Sequence, residues 1–321
     1  MLSCPFHFLL PSRPKSFKEL NPNSALRPLP PAALTRAISS NDAGLSFREK
    51  LLFIEHNLGV NSLRALAVNP NLRSTPLSSL RMLSSLLSSF GLLQSDTSRL
   101  LCLHPSLLTA DPSTSILPVF HFLLNPVSIP FSDLRLSINR CPRLLLSSVP
   151  DRLFPSLDYL RRLGFVGRHR ITARTTVLLI SDVEETLIPK LDFIQSLGFS
   201  RRETVNMVLR LPSLLTFSVE KNFRPKLEFL VGEMGREIGE LKVFPQYFAY
   251  SLEGRIKARH MLLVERGFGS SWISLGDMLK ASDGEFRERL LEMRLRTVGA
   301  INHMGLRHEK PRTPDFKFLA K

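Results

Sequence analysis

A chain of 321 residues with 43% hydrophobic side chains can bury a substantial core, which excludes a disordered polymer. One Trp, three Tyr and no sustained β-branched alternation weigh against sheets. Lys and Arg exceed Asp and Glu by 15, a field that favours polyanions, with nucleic acid first and anionic lipid second.

In chain order, the first segment is residues 1–41. It holds Arg13, Lys15, Lys18, Arg27 and Arg36 against one acid, Glu19, and is rich in Ser and Pro. Scattered bases with few acids predict an organellar transit peptide, cleaved between Arg36 and Leu45. The Ser and Pro content points to a chloroplast, with a mitochondrion as the alternative. Phe6–Leu10 is too short for a signal anchor, and no apolar run reaches membrane-spanning length.

From residue 46 to 300 the chain repeats itself. Anchors stand at Pro70, Pro105, Pro142, Thr176, Pro212 and Pro245, with successive intervals of 35, 37, 34, 36 and 33 residues. Two or three positions past an anchor comes an apolar pair: Leu107-Leu108, Leu144-Leu145, Leu178-Leu179, Leu214-Leu215 or Tyr247-Phe248. Thirteen positions past it stand Pro118, Pro155, Pro189 and Pro225, with Ala258 in the last unit. Gly164, Gly198 and Gly267, each followed by Phe, lie 22 positions past their anchors.

Proline suits the first helical position, where its missing N–H costs nothing, so each proline is read as a helix start. Apolar residues three and four apart make one buried stripe, and the glycine ends the helix with positive φ. Another helix then runs to the next anchor. Because one such unit cannot bury its own apolar face, the units must stack into an all-α solenoid. Ser282-Asp283-Gly284-Glu285 predicts a capping box for a closing helix. Residues 301–321 read as a basic, flexible tail.

Leu187-Ile188-Pro189-Lys190-Leu191-Asp192-Phe193-Ile194-Gln195-Ser196-Leu197-Gly198-Phe199 resembles the repeat motif of the mTERF family, the mitochondrial transcription termination factor-like proteins. Tyr250–Arg259 and Ser282–Phe286 are also similar to C-terminal units of that family. The resemblance implies a superhelix of about seven repeats with a basic groove for nucleic acid. It also implies a role in organellar transcription termination or regulation, or in transcript maturation. Tetratricopeptide and pentatricopeptide repeats share the period, but the Trp-Gly-Tyr pattern of the former is missing and neither needs paired prolines.

Charge locked to the repeat marks candidate contacts. Arg140, Arg174 and Arg210 stand two positions before their anchors, where a helix C-terminus also favours cations. Lys190, Lys226 and Arg259 stand fourteen positions past theirs, in a first helical turn whose dipole opposes them, which points to an external anion such as phosphate. Arg161, Arg162, Arg168, Arg170, Arg201, Arg202, Arg255 and Lys257 extend the basic set near unit junctions.

Catalytic patterns are missing: the sequence has no Walker loop, GxGxxG, HExxH or GxSxG. Gly232, Gly235 and Gly239 read as a loop. The three cysteines, Cys4, Cys102 and Cys141, form no CxxC pair and fit neither a disulfide framework nor a zinc finger, and Cys102 with His104 lacks a second ligand pair. The expectation is a monomeric, non-enzymatic organellar protein without cofactor. Its expected partner is double-stranded DNA, with RNA as the alternative target. Transcription or RNA-processing proteins are further partners, and a protein-binding scaffold is the rival from another class.

Overall fold

The computed structural model describes residues 41–305, with side chains described over 44–296. The expected leader and the tail beyond Gly305 lie outside the described residues. No strand occurs among those residues. The chain divides into two compact units, residues 1–50 and 51–321, and the repeat lies in the second.

Each repeat is a first helix, a short 3-10 turn and a second helix. The first helices include Gln94–Leu103, Phe131–Arg140 and Arg201–Arg210. Every anchor proline opens a 3-10 turn and not an α-helix: Pro70–Arg73, Pro105–Leu108, Pro142–Leu146, Pro212–Leu215 and Pro245–Ala249. The residue before each of these prolines leaves the helical region, with ψ between 68° and 84°, because the proline ring bars it from helical geometry. Where Thr176 replaces the anchor proline the turn Thr176–Ile180 still forms, and the Thr176 hydroxyl donates to Ala173 O at 3.3 Å.

The second proline does not start its helix either. The start lies seven residues earlier, at Asp111, Ser148, Asp182 and Ser218, and Ser251 does the same in the last unit. Each of these side chains accepts a backbone N–H two or three residues on, at 2.8–3.3 Å. A proline inside a helix would clash with the carbonyl four residues back. Here the preceding turn is widened: Leu117, Phe154, Ile188 and Arg224 donate to the carbonyl five residues back. That π geometry takes up the misfit. The proline then sits within one continuous helix, as the second residue of its α-helical part Leu117–Leu124, Phe154–Leu163, Ile188–Ser196 or Arg224–Glu228.

The apolar pairs after the anchors are all buried, as are Phe120, Leu123, Leu157, Leu160, Leu191, Ile194, Leu227 and Leu230 of the second helices. They belong to one continuous cluster that runs from Ile54 to Leu290. At about 1.5–3 kcal/mol per buried side chain, this stripe outweighs any single turn or cap. Gly164, Gly198 and Gly267 end second helices with φ of 110°, 94° and 78°. The capping box closes as read: Ser282 N donates to Glu285 Oε2 at 2.7 Å, and Glu285 N to Ser282 Oγ at 3.3 Å. The closing helix Asp283–Gly305 carries Phe286 and Leu290 into the core and continues five residues past the expected end of the stack.

One unit departs from the pattern. Between Gly164 and Thr176 the first helix shrinks to the 3-10 turn Gly167–His169. Gly167 has φ of 56°, and the segment lacks the capping box that Ser200 and Glu203 give Arg201–Arg210. Thr175 Oγ1 instead accepts from Thr172 N at 2.9 Å, which favours a turn over a helix.

Candidate nucleic-acid interface

The cations fourteen positions past the anchors turn into the stack. Lys190 Nζ donates to Leu215 O at 2.6 Å, and Lys226 Nζ to Phe248 O at 2.6 Å. Both acceptors are the third residue past the next anchor, so each lysine ties its second helix to the following 3-10 turn. Arg259 makes the corresponding tie to Met278 O at 2.6 Å and pairs with Asp283 at 2.5 Å. Lys226 is 6% and Arg259 3% exposed. Burial holds the Lys226 ammonium down to about 8 and also lowers Lys190. The expected first-turn placement does not hold, because each helix is capped eight positions earlier, at Asp182, Ser218 or Ser251, so the dipole does not oppose these cations. Carbonyls of the neighbouring unit hold them, and no external anion is needed to explain the column.

The cations two positions before the anchors face outward. Arg140 closes Phe131–Arg140 and Arg174 precedes the Thr176 turn. Both are exposed, and among the described residues neither has an ion pair or hydrogen bond. Arg210 is exposed too, but donates to Lys242 O at 2.8 Å and Val243 O at 2.5 Å, capping the next first helix, Glu240–Val243. The same position in the flanking units holds Val68, Leu103 and Val243, all exposed. This column therefore reads Val, Leu, Arg, Arg, Arg, Val.

Side chains bridge successive first helices, so these positions lie on neighbouring elements. Arg99 donates to Asn139 at 2.8 Å, Arg135 pairs with Asp96 at 2.6 Å, and Lys242 pairs with Glu203 at 2.8 Å. Lys242 and Ser200 hold the Glu203 carboxyl down to about 2.

The remaining candidates divide by commitment. Arg168, Arg170, Arg201 and Arg202 are exposed and have no partner among the described residues. Arg161 donates to Pro126 O, Arg162 pairs with Asp158, and Lys257 pairs with Glu253 at 2.6 Å. Arg255 donates to Ala281 O at 2.6 Å and lies over the Tyr250 ring at 5.3 Å.

Two basic residues that the periodic columns do not mark are Arg143 and Arg152. With Lys190 they line a cavity of about 420 Å³ between the turns of three units. Arg143 is one position past its anchor, where other units carry Asn71, Ser106, Val177, Ser213 and Gln246, so no column announces it. An adjacent cavity of about 370 Å³ is lined by Asp151, Asp158, Asp182 and Glu184 as well as Arg152 and Arg162, and its acids disfavour phosphate.

Charge is also segregated along the stack. Residues 51–134 carry four Lys/Arg and four Asp/Glu, and residues 135–210 carry thirteen and seven, a net +6. Residues 211–305 carry fourteen and twelve. Among the described residues, no group of three or more His, Cys, Asp or Glu side chains could hold a metal ion, and no helix is long and apolar enough to cross a membrane.

Known proteins match parts of this chain. The chain is 39% identical over 84 residues to "Transcription termination factor MTERF2, chloroplastic" of Arabidopsis thaliana, which covers 26% of this chain and 12% of that protein. It is 34% identical over 93 residues to "Transcription termination factor MTERF4, chloroplastic" of Oryza sativa subsp. japonica, covering 29% and 17%. It is 36% identical over 87 residues to "Transcription termination factor MTEF18, mitochondrial" of Arabidopsis thaliana, covering 26% and 16%. The matches thus span less than a fifth of each of these relatives. The mTERF family model matches residues 127–287, half of the chain and the stretch in which turn, cap and widened second helix recur most regularly, so the chain belongs to the mTERF family.

Proposed function

We propose that this is an organellar nucleic-acid-binding protein that acts in transcription termination or regulation, holding duplex DNA against the basic units 135–210. The observation that carries the reading is the segregated charge: a net +6 over 135–210 beside a neutral stretch, with Arg140 and Arg174 outward and uncommitted. Guanidinium groups free of protein partners keep their donors for phosphate oxygens. Arg168, Arg170, Arg201 and Arg202 lie in the same units and belong to the proposed surface. Lys226 and Arg259 do not, because burial removes them from it. The names of the relatives support the transcriptional role, and their chloroplastic and mitochondrial labels support an organelle, with the chloroplast favoured. A fluorescent fusion of residues 1–60 reports the compartment.

Salt dependence tests the contact. Affinity for duplex DNA should fall with log salt at about 0.9 per neutralised phosphate, and for single strands at about 0.7. Tighter binding to duplex with a slope of several phosphates is the expected result. Preference for RNA would move the role to transcript maturation. A flat salt response, or no binding to any nucleic acid, would overturn the reading in favour of a protein-binding scaffold.

A further inference from the structure

The three inward cations share one tie but differ in what else surrounds them. The Lys226 site is closed: the side-chain amide of Asn222, in the orientation that satisfies both its ends, places Oδ1 3.0 Å from Lys226 Nζ, and the Phe217 ring lies at 6.0 Å. Arg259 is held by a carbonyl and a carboxylate and lies 4.9 Å from the Phe286 ring. At Lys190 the counterpart of Asn222 is Thr186, ten positions past the anchor in both units, and no hydrogen bond joins Thr186 to it among the described residues. An ammonium has three donors. Lys190 uses one, on Leu215 O, and the side chain lines an open cavity.

The other cations of that cavity are Arg143, which has no partner for its guanidinium among the described residues, and Arg152, paired with Asp182. Asp182 is the only acid in the lining, and its carboxylate is already occupied as the helix cap that accepts from Glu185 N at 2.8 Å. Arg143 is therefore uncommitted, and Lys190 keeps two of its three donors beyond its bond to Leu215 O, around one balanced pair. The volume of about 420 Å³ lies within the range of small-molecule sites, roughly 300–1,000 Å³, and leaves room for more than a bare oxyanion.

We infer that this cavity is a phosphate-binding site, in which Lys190 and Arg143 grip a phosphate monoester or diester and Arg152 stays with Asp182. Lysine supplies a compact point charge, and arginine a fork that fits two phosphate oxygens. The phosphate can come from a free nucleotide or from a nucleic-acid strand. The cavity lining includes none of the arginines assigned to the outward surface, so either proposal can fail alone.

The test is calorimetric titration of the full chain with inorganic phosphate and with adenosine monophosphate, in chloride of matched ionic strength. Binding of both is expected, weakened about tenfold or more in Lys190→Met and in Arg143→Gln. Lys226→Met cuts the same kind of tie without touching the cavity and should bind phosphate as the parent does. Arg143→Gln removes no internal contact, so it stays informative if Lys190→Met fails to fold. Displacement of phosphate by a duplex oligonucleotide would identify the strand as the source. Adenosine monophosphate retained beside bound duplex would identify a free ligand. Either result supports the site. Absence of phosphate and nucleotide binding in the parent, or an equal loss in Lys226→Met, would overturn it.

Discussion

Lys226 shows how a surface-type residue becomes structural. Its stem is covered by the neighbouring unit, its ammonium donates to Phe248 O, and its own carbonyl accepts from Tyr247 Oη at 2.8 Å. Burial lowers its pKa from 10.5 to about 8, so between these values the unfolded chain holds a proton that the folded chain has lost. Stability then rises with pH, by up to about 1.4 kcal/mol per unit for one such group. Below about pH 8 both states are protonated, and the full cost of burying the charge is present. Lys226→Met lacks this dependence. Urea unfolding from pH 7 to 10 should show the parent gaining on the variant above pH 8, and parallel curves would refute the assignment. The sequence displays Lys190, Lys226 and Arg259 as a periodic column, and the period is real. Their direction is not legible, because a cation at that position is satisfied equally by an external phosphate or by the next unit's carbonyl, and only packing decides.

At the scale of the element, paired prolines set the phase of the repeat correctly and the helix starts incorrectly. Proline at a first helical position is the commoner case, but here the cap lies seven residues upstream and the widened turn makes room for the ring. That cap escapes a search for one repeated letter because the column mixes Asp and Ser, from Asp111 to Ser251. The lost helix at Gly167–His169 is hidden for a related reason: the interval from Pro142 to Thr176 is ordinary, so spacing alone shows no gap. Glycine stops and apolar pairs are legible because positive φ and burial each demand a narrow set of residues. If the cap and not the proline starts the helix, Ser218→Ala should destabilise the chain by about 1 kcal/mol in chemical denaturation. Thr216→Ala, two residues earlier and with its hydroxyl bonded to Ser213 O at 2.8 Å, should cost less. Equal losses would show that the cap has no special role.

Across the whole molecule, the net charge of +15 is less informative than its distribution. The repeat offers the same outward position six times, two residues before each anchor, and fills the middle three with arginine and the others with Val68, Leu103 and Val243. A structural requirement of the stack would apply to every unit alike. Arg210 does serve its neighbour, through Lys242 O and Val243 O, whereas Arg140 and Arg174 serve none among the described residues. Arginine confined to the units where net charge rises therefore matches a localised polyanion better than a folding need. Replacing Arg140 and Arg174 together with Gln should leave thermal unfolding within about 0.5 kcal/mol of the parent, since exposed side chains without partners contribute little. The same double variant should lower the duplex salt slope by about 1.8, two phosphates at ~0.9 each. Arg64→Gln, an exposed arginine of the neutral units, should leave that slope unchanged. If instead the slope holds in the double variant, or drops as far in Arg64→Gln, the contact is spread over the whole basic chain and the confinement of arginine to the central units needs another cause.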